Sequence, residues 1–148
     1  MSKKKKIIIG IVLVVTICII GVEWYNHNKC TASFESMNGS SEIITNKAEK
    51  GYMGSIGVDV KEGEKLIIKS YLKKGSIKIN LGKQETAQTG KETIGELLDM
   101  MNGKDISQIV EGYNTYELEV PEGIYYGSAS VLEKTTGRVT ITSESKLK

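Results

Sequence analysis

Tyr52-Met53-Gly54-Ser55-Ile56-Gly57-Val58-Asp59-Val60-Lys61-Glu62-Gly63-Glu64-Lys65-Leu66-Ile67-Ile68-Lys69-Ser70-Tyr71-Leu72 is the stretch whose reading decides the fold class. Tyr52, Gly54, Ile56, Val58 and Val60 fall at every second position, the period of a strand with one buried face. Lys61 to Glu64 reads as a turn. Leu66, Ile68 and Leu72 share a phase in a second strand over 65–72. Lys73-Lys74-Gly75 reads as another turn, and Ile77, Ile79 and Leu81 alternate with polar residues in a third strand. The segment 52–81 is therefore expected to be a three-stranded meander.

Working outward, Thr89-Gly90-Lys91-Glu92 matches a capping box. Ile94, Leu97, Leu98 and Met101 then fall at helical spacing, so a short helix is expected over 90–102. Asp105 to Val110 fits either a helical turn or a short strand. Alternation returns in Tyr116-Leu118-Val120, and Pro121-Glu122-Gly123 turns the chain into a strand over 124–132. A further turn at 134–137 leads to a last strand containing Val139 and Ile141. Upstream, Asn38-Gly39 suits a type I′ hairpin, because both central residues tolerate positive φ. Two stretches match each other. Val58-Asp59-Val60-Lys61-Glu62-Gly63 parallels Leu118-Glu119-Val120-Pro121-Glu122-Gly123, and Lys74-Gly75-Ser76-Ile77-Lys78-Ile79 parallels Thr136-Gly137-Arg138-Val139-Thr140-Ile141. A lone three-stranded sheet cannot hide its apolar face. Two such sheets packed face to face share one core, so the expected fold is mainly β. It is an antiparallel, jelly-roll-like β-sandwich of about six to eight strands with one short helix. The alternative is an α+β fold with the helix across a single sheet.

Val58 to Leu66, Pro121 to Tyr126 and Gly137 to Ile141 resemble the small jelly-roll sandwiches of the bacterial pre-peptidase C-terminal type. Those share a strand ending in a glycine turn, a Pro-x-Gly-x-Tyr-Tyr strand and a final glycine-led strand. The resemblance spans residues 52–143, and the helix at 90–102 departs from that family's all-β core. It implies an accessory or binding module outside the cell, without catalysis of its own.

The N-terminal region reads differently. Lys3 to Lys6 precede Ile7 to Val22, a charge-free apolar run of 16 residues, and Trp24 and Tyr25 follow it. At ~1.5 Å per residue the run reaches ~24 Å, against a hydrocarbon core of ~30 Å. Snorkelling lysines and interfacial aromatics supply the difference. The expected organisation is a basic cytoplasmic tail at 1–6, a transmembrane anchor at 7–25, a tether at 26–33 and an extracytoplasmic domain at 34–148. The lysines place the N-terminus inside, giving a single-pass protein of the cell membrane. Two alternatives stand: a cleaved signal peptide releasing a secreted domain, and a lipid anchor. Val15-Thr16-Ile17-Cys18 matches a lipobox at its first two positions, which makes Cys18 a candidate for lipidation, although bulky Ile17 departs from the pattern. Cys30 is then a free thiol or pairs with a second chain. His27 beside Cys30 reads as part of the mobile tether, not as the base of a nucleophile pair.

The charge balance excludes some functions. The full chain carries +2, but from Glu23 onward 16 basic residues face 18 acidic ones, leaving −2. Only Arg138 is an arginine, and no basic stripe is present, so nucleic-acid binding is not expected. The lysine and isoleucine bias suits an AT-rich bacterial genome. A single histidine in the tether excludes a Ser-His-Asp arrangement within the domain. No zinc spacing or phosphate-cradling loop occurs, and Asp59, Glu62 and Glu64 read as solvated turn charges. No catalytic residue, metal or cofactor is therefore expected. Tyrosine is the enriched large side chain, at seven residues. Tyr113, Tyr116, Tyr125 and Tyr126 surround one turn and are candidate ligand contacts, although strand propensity also explains them. Tyr125 and Tyr126 must point to opposite faces. The expected function is a non-enzymatic, membrane-anchored binding module for an extracytoplasmic protein or glycan. The alternatives are a structural subunit of a membrane or envelope complex, and a hydrolase using paired carboxylates.

Overall fold

The computed structural model describes residues 2–84 and 105–145. The helix expected over 90–102 lies outside the described residues. Ser2 caps helix α1 (Lys3–Asn28), its hydroxyl accepting from the Lys5 N–H. The helix is long and apolar enough to cross a membrane, and none of its residues is buried in the protein. Among the described residues seven strands follow: β1 (Thr31–Met37), β2 (Ser40–Ala48), β3 (Met53–Val60), β4 (Glu64–Lys83), β5 (Ile106–Leu118), β6 (Gly123–Val131) and β7 (Thr135–Ser145). Helix and first strand thus run into the stretch expected as a tether at 26–33, leaving Lys29 and Cys30 between them.

All pairings are antiparallel, in the order β1-β2-β7-β4-β6-β3, with β5 on the other edge of β4. The expected mainly β, antiparallel, jelly-roll-like architecture is present, as one sheet that curls into a nearly closed barrel and not as two separate sheets. The expected meander over 52–81 is not formed. β3 pairs with β6, not with β4, so the Lys61–Gly63 turn carries the chain from one layer to the other. Nor is Lys73-Lys74-Gly75 a turn. It lies inside β4, a continuous strand of 20 residues.

That irregularity explains the barrel. Between matched pairs, β4 runs from Tyr71 to Ser76 while β5 runs only from Tyr113 to Glu111. β4 therefore holds an odd excess of three residues, and an odd excess moves side chains to the other face. Before it, Leu66, Ile68 and Leu72 point inward; after it, Ile77, Ile79 and Leu81 do. β4 thus bends and serves both layers. β7 pairs with its first half and β6 with its second, so the two matching stretches meet along one strand. The β6–β7 corner packs onto this bend, with Leu132 N donating to the Ser76 carbonyl at 3.0 Å. One shared interior results, holding Ile43, Ile56, Val58, Val110, Tyr125, Val131, Val139 and Ile141 beside the β4 residues. The stretch from Asp105 to Val110 resolves as strand: Ile106 opens β5 opposite Leu81.

The barrel closes onto β3, and the Ser41 side chain makes the bridge from β2. Ser41 Oγ accepts from Gly57 N at 2.8 Å, donates to Gly57 O at 2.5 Å and takes a third bond from Ser36 Oγ at 2.6 Å. Asp59 N donates to Gly39 O at 2.9 Å beside it. The hairpin turn that positions Gly39 is the expected one. Met37 pairs with Ser40, and Asn38 and Gly39 take φ of 52° and 76°.

Candidate functional site

The four candidate tyrosines separate. Tyr125 and Tyr126 do point to opposite faces. Tyr125 is 2% exposed in the core, and its hydroxyl donates to the Pro121 carbonyl at 2.7 Å. Burial raises its phenol pKa, with a smaller contribution from the Asp105 charge. Its ring packs in the core and offers almost no surface to a ligand. Tyr116 is half-buried against the core. Tyr113 is 67% exposed, and its ring meets that of Tyr71 edge-on at 6.3 Å. Tyr126 lines a concavity.

That concavity is a groove of about 310 Å³ between the β1–β2 turn, β3 and the start of β6. Strand pairing builds it: Tyr126 faces Gly57 across the β3–β6 ladder, and a Cβ on Gly57 would collide with the Tyr126 ring. The ring therefore lies over bare backbone and forms the floor. Met37 and Ile124, both exposed, supply apolar walls. Ser36 and Ser40 bring hydroxyls, and Asp59 brings the one carboxylate among the lining residues. The mixture of an aromatic plane, apolar flanks and a few polar groups suits a small ligand or a peptide segment. Tyr126 was legible as a candidate from its strand. Met37, Ile124 and Asp59 were not, because they join it only through β3–β6 and β1–β2 pairing.

Other side chains with chemical potential are spread out. Among the described residues no group of three or more His, Cys, Asp or Glu side chains could hold a metal. Asp105 accepts the Lys83 N–H at 2.7 Å, and Glu117 pairs with Lys65. The Glu64 carboxyl is held below its usual pKa by the Ser143 hydroxyl and the Lys61 N–H. Cys18 lies exposed within α1, which continues on both sides of it, and Cys30 is exposed just after the helix.

No family model matches the sequence, and no curated protein does. Among solved structures, a Drosophila melanogaster CENP-C cupin domain is similar at 14% identity and a TM-score of 0.30, covering 76% of this chain and 75% of that one. The same species' CENP-C bound to CAL1 matches at 14% identity and 0.28, covering 76% of each chain.

Proposed function

We propose that this chain is a membrane-tethered binding module whose β-barrel stands outside the cytoplasm and engages a protein or glycan through the Tyr126 groove. One observation carries the reading. A 26-residue helix with an uncovered apolar run of 16 residues, none of its residues buried, joins, with two residues between, a barrel that buries its own core. An apolar helix that the protein leaves uncovered needs another apolar environment, and a bilayer supplies it. Lys3 to Lys6 ahead of the span favour an inside N-terminus. The likeness to the pre-peptidase C-terminal sandwiches points to the same kind of role. A structural subunit is the second reading, favoured by the helix's apolar residues being open on every side to other spans. Gly10 and Gly21 lack the spacing of a small-residue packing face, which weighs against it.

Cysteine labelling tests the topology. A membrane-impermeant maleimide on intact cells should modify Cys30 and leave Cys18 untouched. Labelling of Cys30 only after lysis would overturn the extracytoplasmic placement. Intact mass of the native protein separates the retained anchor from a cleaved or lipidated form. The groove is tested with the full chain in nanodiscs, screened against glycans, wall polymers and membrane-protein partners. A hit should weaken about tenfold or more in Tyr126→Ala, the loss typical of an anchoring aromatic. A folded chain that binds none of the three classes removes the binding reading.

A further inference from the structure

The barrel has two unlike ends. At the end next to α1 lie the β2–β3 loop, the bends of β4 and β5 and the β6–β7 corner. Hydrogen bonds and an ion pair tie them together. Lys47 Nζ donates to the Asn28 Oδ1 at 2.7 Å, and Asn46 Nδ2 donates to the Lys29 carbonyl at 2.9 Å. Lys47 N donates to Thr136 Oγ1 at 2.9 Å, and Thr136 faces Lys74 on the β4–β7 ladder. Lys134 Nζ pairs with Glu49 at 2.8 Å. This end therefore gathers Lys29, Lys47, Lys50, Lys73, Lys74 and Lys134. Its acids are Glu49, Glu111 and Glu133, so it carries an excess of positive charge. The Glu49 carboxylate beside Lys134 raises its pKa. Exposed Tyr52, Tyr71 and Tyr113 stand among the lysines. The opposite end carries the Lys61–Gly63 and Pro121–Gly123 turns, and among the described residues Glu62, Glu64, Asp105, Glu119 and Glu122 outnumber Lys61 and Lys83 there, so it is acidic.

We infer that the lysine–tyrosine end docks on the anionic phospholipid headgroups of the leaflet where α1 emerges, so that the Tyr126 groove at the acidic end faces outward. The inference rests on α1 spanning the bilayer. With only Lys29 and Cys30 between helix and β1, this end cannot stand far from the headgroups. Lysines within a Debye length of an anionic surface are drawn to it, and tyrosines settle at the headgroup level. The far-end acids are repelled by the same surface. Attraction and repulsion thus favour one orientation, which displays the groove formed beside the Asn38-Gly39 turn.

Hydrogen exchange on the full chain in nanodiscs tests this, comparing phosphatidylcholine alone with a mixture rich in phosphatidylglycerol. Amides at 49–53 and 73–75 should exchange about fivefold more slowly, or slower still, in the anionic discs. Amides of the Lys61–Gly63 turn should not change. High salt and the triple variant Lys50→Glu, Lys73→Glu, Lys74→Glu should remove the difference, with an unaltered circular dichroism spectrum showing that the barrel is intact. Equal exchange in the two lipids overturns the docking while leaving the anchor in place. Protection that appears only on adding a soluble polyanion overturns it in favour of a polymer partner. A chain that never enters the nanodiscs overturns the spanning helix itself, and the docking with it.

Discussion

At the scale of single residues, close backbone approach decides the outcome. A Cβ at Gly127 would overlap the Asn80 carbonyl and force β6 away from β4. Gly127→Ala should therefore cost about 3 kcal/mol, the upper end of the usual overpacking range. Gly63 has open space around it, and only its φ of 77° opposes a side chain. Gly63→Ala should cost about 1 kcal/mol. Urea denaturation of the two variants checks the contrast. Tyr125 offers a pH test. Its folded pKa is raised by burial above the reference of 10.0, so its stabilisation is complete below that pH and is lost as pH rises through the folded value. Melting temperature should fall above about pH 10, and Tyr125→Phe should flatten that fall. The same variant should lose about 1 kcal/mol at neutral pH with the bond to the Pro121 carbonyl. That Tyr125 and Tyr126 oppose each other was legible in the strand period. Which of them enters the core depended on the register with β3, where Val58 faces Tyr125 and Gly57 faces Tyr126.

At the scale of elements, the seam and the bend carry the architecture. Ser41→Ala would leave the buried N–H and C=O of Gly57 without partners, at about 1–3 kcal/mol for each group. The expected result is a loss of several kcal/mol in chemical denaturation, with β1, β2 and β3 amides losing exchange protection before β4 and β7. A loss below about 0.5 kcal/mol, the size of an ordinary surface change, would show that the seam is held by other contacts. The bend in β4 also explains why a strand was read as two. An odd number of extra residues reverses the inward phase, as a turn between two strands does. The pattern Leu66-Ile68-Leu72 followed by Ile77-Ile79-Leu81 is common to both. Three-dimensional pairing with β5 distinguishes them, because β5 continues unbroken past Gly112.

At the scale of the whole molecule, helix and barrel are separable in energy. No residue of α1 is buried, and among the described residues the fully buried core cluster lies in the strands. Removal of residues 2–28 should therefore leave the barrel's melting temperature within a few degrees while moving the protein from the membrane to the soluble fraction. Circular dichroism melting and cell fractionation check both halves of that expectation. A barrel that fails to fold without the helix would show that α1 contributes packing absent from this structure. The apolar helix, the strand class, the Asn38-Gly39 hairpin and the turns at 61–63 and 121–123 follow from the chain alone, because period, turn chemistry and uninterrupted apolarity are local properties. Strand order is not local. β3 reaches β6 across more than sixty residues, β4 serves two layers, and these long-range pairings create the Tyr126 groove. Backbone hydrogen bonds can be satisfied by many partners, so only the packing of one shared interior selects which strands become neighbours.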